Sequence, residues 1–220
     1  LDGAASRLAE AVEWFGSALA AAPTPRAGES LALAMAAHGR ILWRRGDRQA
    51  GVRVLQTALD RAEQIAGGEA TVATVSLFLG TILTDDDAAD LDAGKALLHR
   101  AVELRRTLHR ANPDDVMARS RLISAYCERA LRDAADVGAD VAEGLRLCAG
   151  LPPSPDAAAL AARLHLLAVD RGLGGDAGVR AHLAAAKSCA SELGSHGTDS
   201  VSLADLRRRI EQAAALVEGR

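Results

Sequence analysis

Aromatic residues are almost missing from this chain of 220 residues: Trp14, Phe15, Trp43, Phe78 and Tyr126 are all it has, 2% of the sequence against 49% apolar residues in total. A core without aromatics has to be assembled from Ala, Leu and Val. Alternating β-branched runs are also lacking, while Ala and Leu, the strongest helix formers, dominate, so an all-α fold is expected. Lysine is scarcer still (Lys95 and Lys187), which leaves arginine to carry nearly all the positive charge. No one-signed basic stripe precedes the short run Arg207–Arg209, and the net charge is −3, so nucleic acid is not an expected partner. No uninterrupted apolar run of about 18 residues occurs, so no membrane span is expected either. The three cysteines, Cys127, Cys148 and Cys189, lie far apart without CxxC spacing. So sparse and odd a set points to buried thiols in a reducing, cytoplasmic setting. The sequence starts at Leu1, apparently inside a helix and with no signal segment, which reads as part of something longer.

What is present is helix punctuated by breakers. PTPRAGES, RGD at Arg45 to Asp47, AGGE at Ala66 to Glu69, TDDDAAD, ANPDD, GLPPSPD, GLGGD and GSHGTDS divide the chain into helix-length blocks. They predict ten helices at about 4–22, 28–45, 48–66, 69–84, 90–111, 114–136, 139–150, 155–171, 176–193 and 200–218. Ser154 before Pro155 is an N-cap followed by proline at the first helical position, and Asp199 or Ser200 can cap the last helix. Gly172 and Gly194 sit where a left-handed C-cap glycine belongs. Connections this short make neighbouring helices antiparallel.

Three of these helices open alike. AGVRVLQTALDR (Ala50 to Arg61), AGKALLHRAVEL (Ala93 to Leu104) and AGVRAHLAAAKS (Ala177 to Ser188) share a small pair, then apolar residues, then Ala eight positions after the first. AEAVEWFGSALAAAP (Ala9 to Pro23) follows the same frame. Glycine inside a helix costs about 1 kcal/mol relative to alanine, so Gly51, Gly94 and Gly178 need a compensating gain. Gly39 and Gly80 interrupt the partner helices. Small residues facing each other on antiparallel helices let the backbones approach closely, and that packing is the expected reason for all five glycines.

These residues give the chain its resemblance to the tetratricopeptide repeat superfamily. In the unit from Ala32 to about Ile65, Gly39, Leu42, Gly46, Asp47, Gly51, Ala58 and Leu59 fall on the family pattern. Ala11, Phe15, Ala18, Leu19 and Pro23 match the second half of a repeat. Arg100 to Tyr126 resembles repeats of large bacterial multidomain proteins. The resemblance implies a right-handed α-solenoid of antiparallel hairpins forming a single domain over 1–220. Residues 1–23 would be the second half of a repeat, 28–66, 69–111, 114–150 and 155–193 the hairpins, and 200–218 a capping helix.

The resemblance also implies a concave face lined by first helices. That places Leu33, Ala37, Arg40, Trp43 and Arg44 in one repeat beside Thr74, Phe78 and Thr81 in the next. Arg40 and Arg44 lie one turn apart around Trp43, a composition suited to a peptide bearing an acidic group; the alternative is that Trp43 packs against a neighbouring hairpin. The family's chaperone-tail clamp uses two asparagines on this face, but Asn112 is the sole Asn and falls in a loop, so that activity is not expected.

Catalytic and metal patterns are not met. The acidic cluster Asp85, Asp86, Asp87, Asp90 and Asp92 lacks the register of a calcium loop and reads as a helix-capping turn. His38, His99, His109, His165, His182 and His196 form no HExxH or i,i+4 pair, and His182 with Cys189 is too sparse for zinc. No GxSxG and no phosphate loop after a strand occurs. The expected function is a non-catalytic protein- or peptide-binding scaffold without cofactor, part of a larger protein. A regulatory or sensor module that binds a small ligand or peptide and controls an attached kinase or signalling NTPase is the second reading, and a self-associating domain the third.

Overall fold

A computed structural model of the chain describes residues 2–85, 90–195 and 201–218. Among these residues there are ten α-helices and no strand: α1 (Asp2–Ala21), α2 (Pro25–Arg44), α3 (Arg48–Glu63), α4 (Glu69–Leu83), α5 (Leu91–Ala111), α6 (Val116–Arg132), α7 (Val137–Cys148), α8 (Pro155–Asp170), α9 (Gly175–Ser195) and α10 (Val201–Glu218). The fold is all-α. No helix among the described residues is long and apolar enough to cross a membrane.

Local chemistry sets the helix starts. Thr24, Asp47, Asp90, Asp115 and Ser154 each accept a hydrogen bond from a first-turn N–H with the side chain, satisfying a donor the helix leaves unpaired. Pro25 and Pro155 occupy the first turns behind Thr24 and Ser154, where a missing N–H is harmless. Between α2 and α3, Gly46 (φ 94°) takes the left-handed conformation that the tight turn requires. Two expected ends are corrected. α6 stops at Arg132 because Asp133 adopts extended backbone and its carboxylate accepts from the Ala135 N–H. Gly194 lies inside α9 and does not cap it; Gly172 (φ 65°) does follow α8 as expected. Asp86, Asp87, His196, Asp199 and Ser200 fall outside the described residues.

The helices group into two compact units, Leu1–Leu108 and His109–Arg220. In the first, Gly28 faces Ile65 and Gly39 faces Gly51, so α2 and α3 run in opposite senses. A Cβ on Gly39 would lie 2.9 Å from the Gly51 carbonyl oxygen, and one on Gly51 would lie 2.7 Å from the Gly39 oxygen. The next pair repeats this: a Cβ on Gly80 would lie 2.9 Å from the Gly94 oxygen and 3.0 Å from Leu98 Cγ, as one on Gly39 would lie 2.9 Å from Leu55 Cγ. Backbone meets backbone at both crossings, with Leu55 and Leu98 fully buried beside them. The gain from such interdigitation offsets the intrinsic helix penalty of glycine. The core around these crossings is Ala, Leu, Val and Ile: Ala32, Ala36, Leu55, Ala58, Val75, Leu79 and Ile82 among others.

Gly178 corrects the third match. A Cβ there would lie 2.6 Å from the carbonyl oxygen of Leu173, in the turn just before α9, and no partner helix comes close. Its role is to let the turn fold back on the helix. In the second unit a different glycine, Gly144 of α7, makes room for a neighbour, with its missing Cβ lying 2.8 Å from Leu164 of α8. Here α10 packs on α8 and α9, closing a cluster of Ala162, Leu166, Leu183, Ala186, Ala190, Leu193, Leu206, Ile210 and Ala213. Between α6 and α7, Arg129 and Asp140 form a buried bidentate pair, Nε to Oδ2 at 2.8 Å and Nη2 to Oδ1 at 2.5 Å.

Candidate functional site

The groove residues expected from the sequence all lie in the first unit, where α2 packs directly on α4. That contact brings two of them together: the Arg40 guanidinium carbon sits 4.1 Å from the centroid of the Phe78 ring. Such stacking fixes a long side chain that would otherwise sample many rotamers, and contributes about 0.5–2 kcal/mol according to exposure. Leu33 (40% exposed) and Arg44 share the α2 face and are open to solvent. Ala37 and Thr81 are half-buried.

Trp43 stands differently. It is half-buried and packs against the core of the first unit. Its backbone nitrogen and Cβ line the notch, each 3.0 Å from where a Cβ on Gly51 would be. Arg40 therefore stacks on Phe78, and the trio Arg40–Trp43–Arg44 is no open aromatic between two forks. Trp43 packs beside Gly51 of α3, within its own hairpin. Thr74 is also occupied: its hydroxyl donates to the Ala70 carbonyl at 2.8 Å and accepts from Arg105, a buried arginine of α5.

A second cluster, in the second unit, was hidden in the sequence. A cavity of about 410 Å³ is lined by Cys148 of α7, Ser154, His165 of α8 and Cys189 and Glu192 of α9, among apolar side chains. The Cys148 thiol is pushed up to about 11, first by burial and then by Cys189, and Cys189 is raised by burial and by the charge of Glu192. Cys127, buried elsewhere in this unit, is pushed up to about 12 by burial. A nucleophilic thiol needs a lowered pKa, so these sulfurs stay protonated at neutral pH.

Beside the cavity, His165 Nδ1 and His182 Nδ1 meet at 2.9 Å. The ring centroids are 5.2 Å apart, the nitrogen contact lengthened by one ring radius at each end, so the nitrogens point head-on at each other. Two imidazoles chelating one ion would converge and bring their rings closer. The contact is an N–H···N hydrogen bond holding one proton. Among the described residues no three His, Cys, Asp or Glu side chains are grouped to hold a metal.

This pair makes stability depend on pH. The pKa of His165 is lowered, first by burial and then by the charge of His182. The unfolded chain, with a histidine pKa of about 6.5, therefore takes up its proton first as pH falls. The contribution of the pair is fully present above that value and is lost as pH drops below it toward the folded pKa. Urea titrations at pH 7.5 and 5.5 should show the His165→Gln variant losing less stability on acidification than the parent; equal losses would contradict the assignment.

Comparison with known proteins finds no family model that matches the chain and no curated protein that matches it. The site therefore rests on its own geometry.

Proposed function

We propose that the chain is a non-catalytic binding scaffold of the tetratricopeptide-repeat type, in which the α2–α4 face of the first unit takes a protein segment or peptide with an acidic group. The observation that carries this reading is the Arg40–Phe78 stack beside the solvent-open Leu33 and Arg44. The stack holds a guanidinium in place before any partner arrives, which lowers the ordering entropy of binding. Leu33 offers apolar area, and Arg44 adds a second fork suited to a carboxylate. The recurrence of the same close approach at Gly39–Gly51 and Gly80–Gly94 supports a repeated antiparallel hairpin within the first unit.

The test is fluorescence anisotropy with a panel of labelled acidic and neutral peptides. Acidic peptides should bind, with affinity falling as salt rises. Arg44→Glu should weaken them by about tenfold or more, equivalent to about 1.4 kcal/mol. Because Arg44 is exposed, circular dichroism should be unchanged in that variant. Binding that ignores Arg44→Glu, or no preference for acidic peptides, would remove the groove from the account.

A further inference from the structure

The cavity walled by α7, α8 and α9 belongs to the second unit, whereas the α2–α4 groove belongs to the first. At about 410 Å³ it falls within the range of small-molecule sites, about 300–1,000 Å³. Most of its wall is made of short side chains. Ala158 and Ala161 lie on one side of α8 and lead to His165, one turn further along. Cys148 and Cys189, protonated at neutral pH, act beside them as small apolar groups. Side chains this short do not fill the space where three helices meet. The polar groups of the lining differ in what they still offer. Ser154 Oγ already accepts from the Ala157 N–H as the cap of α8. His165 gives Nδ1 to His182 and keeps Nε2. Burial holds the His165 pKa below the ordinary histidine value, so the ring is neutral at pH 7. Glu192 is exposed, and its charge is felt at Cys189, one turn before it on α9. No lysine or arginine is among the described lining residues, so the charge of the lining is that of one carboxylate.

We infer that this cavity is a binding site for a small amine, a compact apolar body carrying one ammonium group. The body lies against the alanines of α8 and the two thiols, and the ammonium donates to the Glu192 carboxylate and to His165 Nε2. Apolar walls with a few convergent polar groups are the usual build of such a site. Charge decides the class of guest: an ammonium meets its opposite at Glu192, while a carboxylate of the same shape meets a like charge and no cation. The histidine pair fits the same donor. An ammonium group has hydrogens to give and nothing to accept with, so Nε2 must accept. The shared proton then sits on His165 Nδ1 and is donated to His182 Nδ1, which leaves both rings neutral and both nitrogens of His165 satisfied. The site is independent of the α2–α4 groove, and its failure would leave that reading untouched.

The probes are three molecules with one body and different heads: phenylethylamine, phenylethanol and phenylacetate. Each is titrated into the whole chain, labelled with nitrogen-15 at histidine, and followed by nuclear magnetic resonance. Phenylethylamine at millimolar concentration should shift the His165 ring signals saturably and place the proton on Nδ1. Phenylethanol should bind more weakly and phenylacetate not at all. Glu192→Gln should weaken the amine about fivefold, the worth of a partly exposed ion pair, and leave the alcohol unchanged. Because Glu192 is exposed, circular dichroism of that variant should match the parent. Ala161→Phe, which puts a ring of the chain's own into the cavity, should abolish both. The amine should also slow modification of Cys148 and Cys189 by N-ethylmaleimide, read by mass spectrometry. Cys127, buried outside the cavity, should keep its rate. Three results would overturn the inference: no saturable shift at His165, equal binding of amine and alcohol that ignores Glu192→Gln, or amine binding that survives Ala161→Phe.

Discussion

Gly51→Ala should destabilise the first unit by about 1–3 kcal/mol, although Gly to Ala inside a helix ordinarily stabilises by up to about 1 kcal/mol. The sign reverses because the new methyl has nowhere to go. It would lie 2.7 Å from the Gly39 carbonyl oxygen and 3.0 Å from the backbone nitrogen and the Cβ of Trp43. Backbone atoms cannot swing aside as a side-chain tip does, so α2 and α3 must separate and loosen the contacts of Leu55 and Ala58. Gly51→Leu should be worse. Gly16→Ala is the matched control: it lies inside α1 with nothing within 4 Å of its would-be Cβ, and should stabilise by a few tenths to about 1 kcal/mol. Urea titrations followed by circular dichroism give both signs. If Gly51→Ala and Gly16→Ala behaved alike, the close approach would be refuted.

The second large effect is in the other unit. Asp140→Leu alone should cost about 3–5 kcal/mol, because it takes a bidentate carboxylate away from a buried guanidinium. The two side chains are 1% and 5% exposed and bonded through both forks, so little water can replace the lost carboxylate. The pair itself is a poor source of net stability, since desolvation cancels much of its attraction. Replacing both partners, Arg129→Met with Asp140→Leu, should therefore cost less than the two single losses summed. The double-mutant cycle in urea checks this. Additive single losses would mean that the two side chains do not act as a unit.

The helix pattern was legible because its signals are local. Thr24-Pro25, Gly46-Asp47 and Ser154-Pro155 each act within one turn of themselves, so the sequence can be read there without any knowledge of packing. The Gly39–Gly51 and Gly80–Gly94 crossings were legible for another reason: both helices of each pair carry the small residue, and the pattern recurs. Gly178 shows the limit. It repeats the string AGVR and the fourth position of its helix, yet α8 contains no glycine to face it, and the glycine-rich turn brings the Leu173 carbonyl there instead. Register between helices was the missing information. Arg129 with Asp140, eleven residues apart, and His165 with His182, seventeen apart, meet only once two helices are aligned against each other. The same gap affected the groove. Arg40, Arg44 and Phe78 could be placed on one face by period, but only the packing of α2 on α4 shows that Arg40 stacks on Phe78 while Trp43 turns toward α3.

The most direct test is a nuclear Overhauser measurement on chain labelled at glycine. Cross-peaks should connect the α protons of Gly39 to those of Gly51, and of Gly80 to those of Gly94, because no side chain separates the two backbones. Gly178 should give none to α8, its contacts falling to Leu173. If both inter-helix peaks were missing in well-dispersed spectra, α2 would not touch α3, nor α4 α5, at the glycines, and the account of the fold would fail.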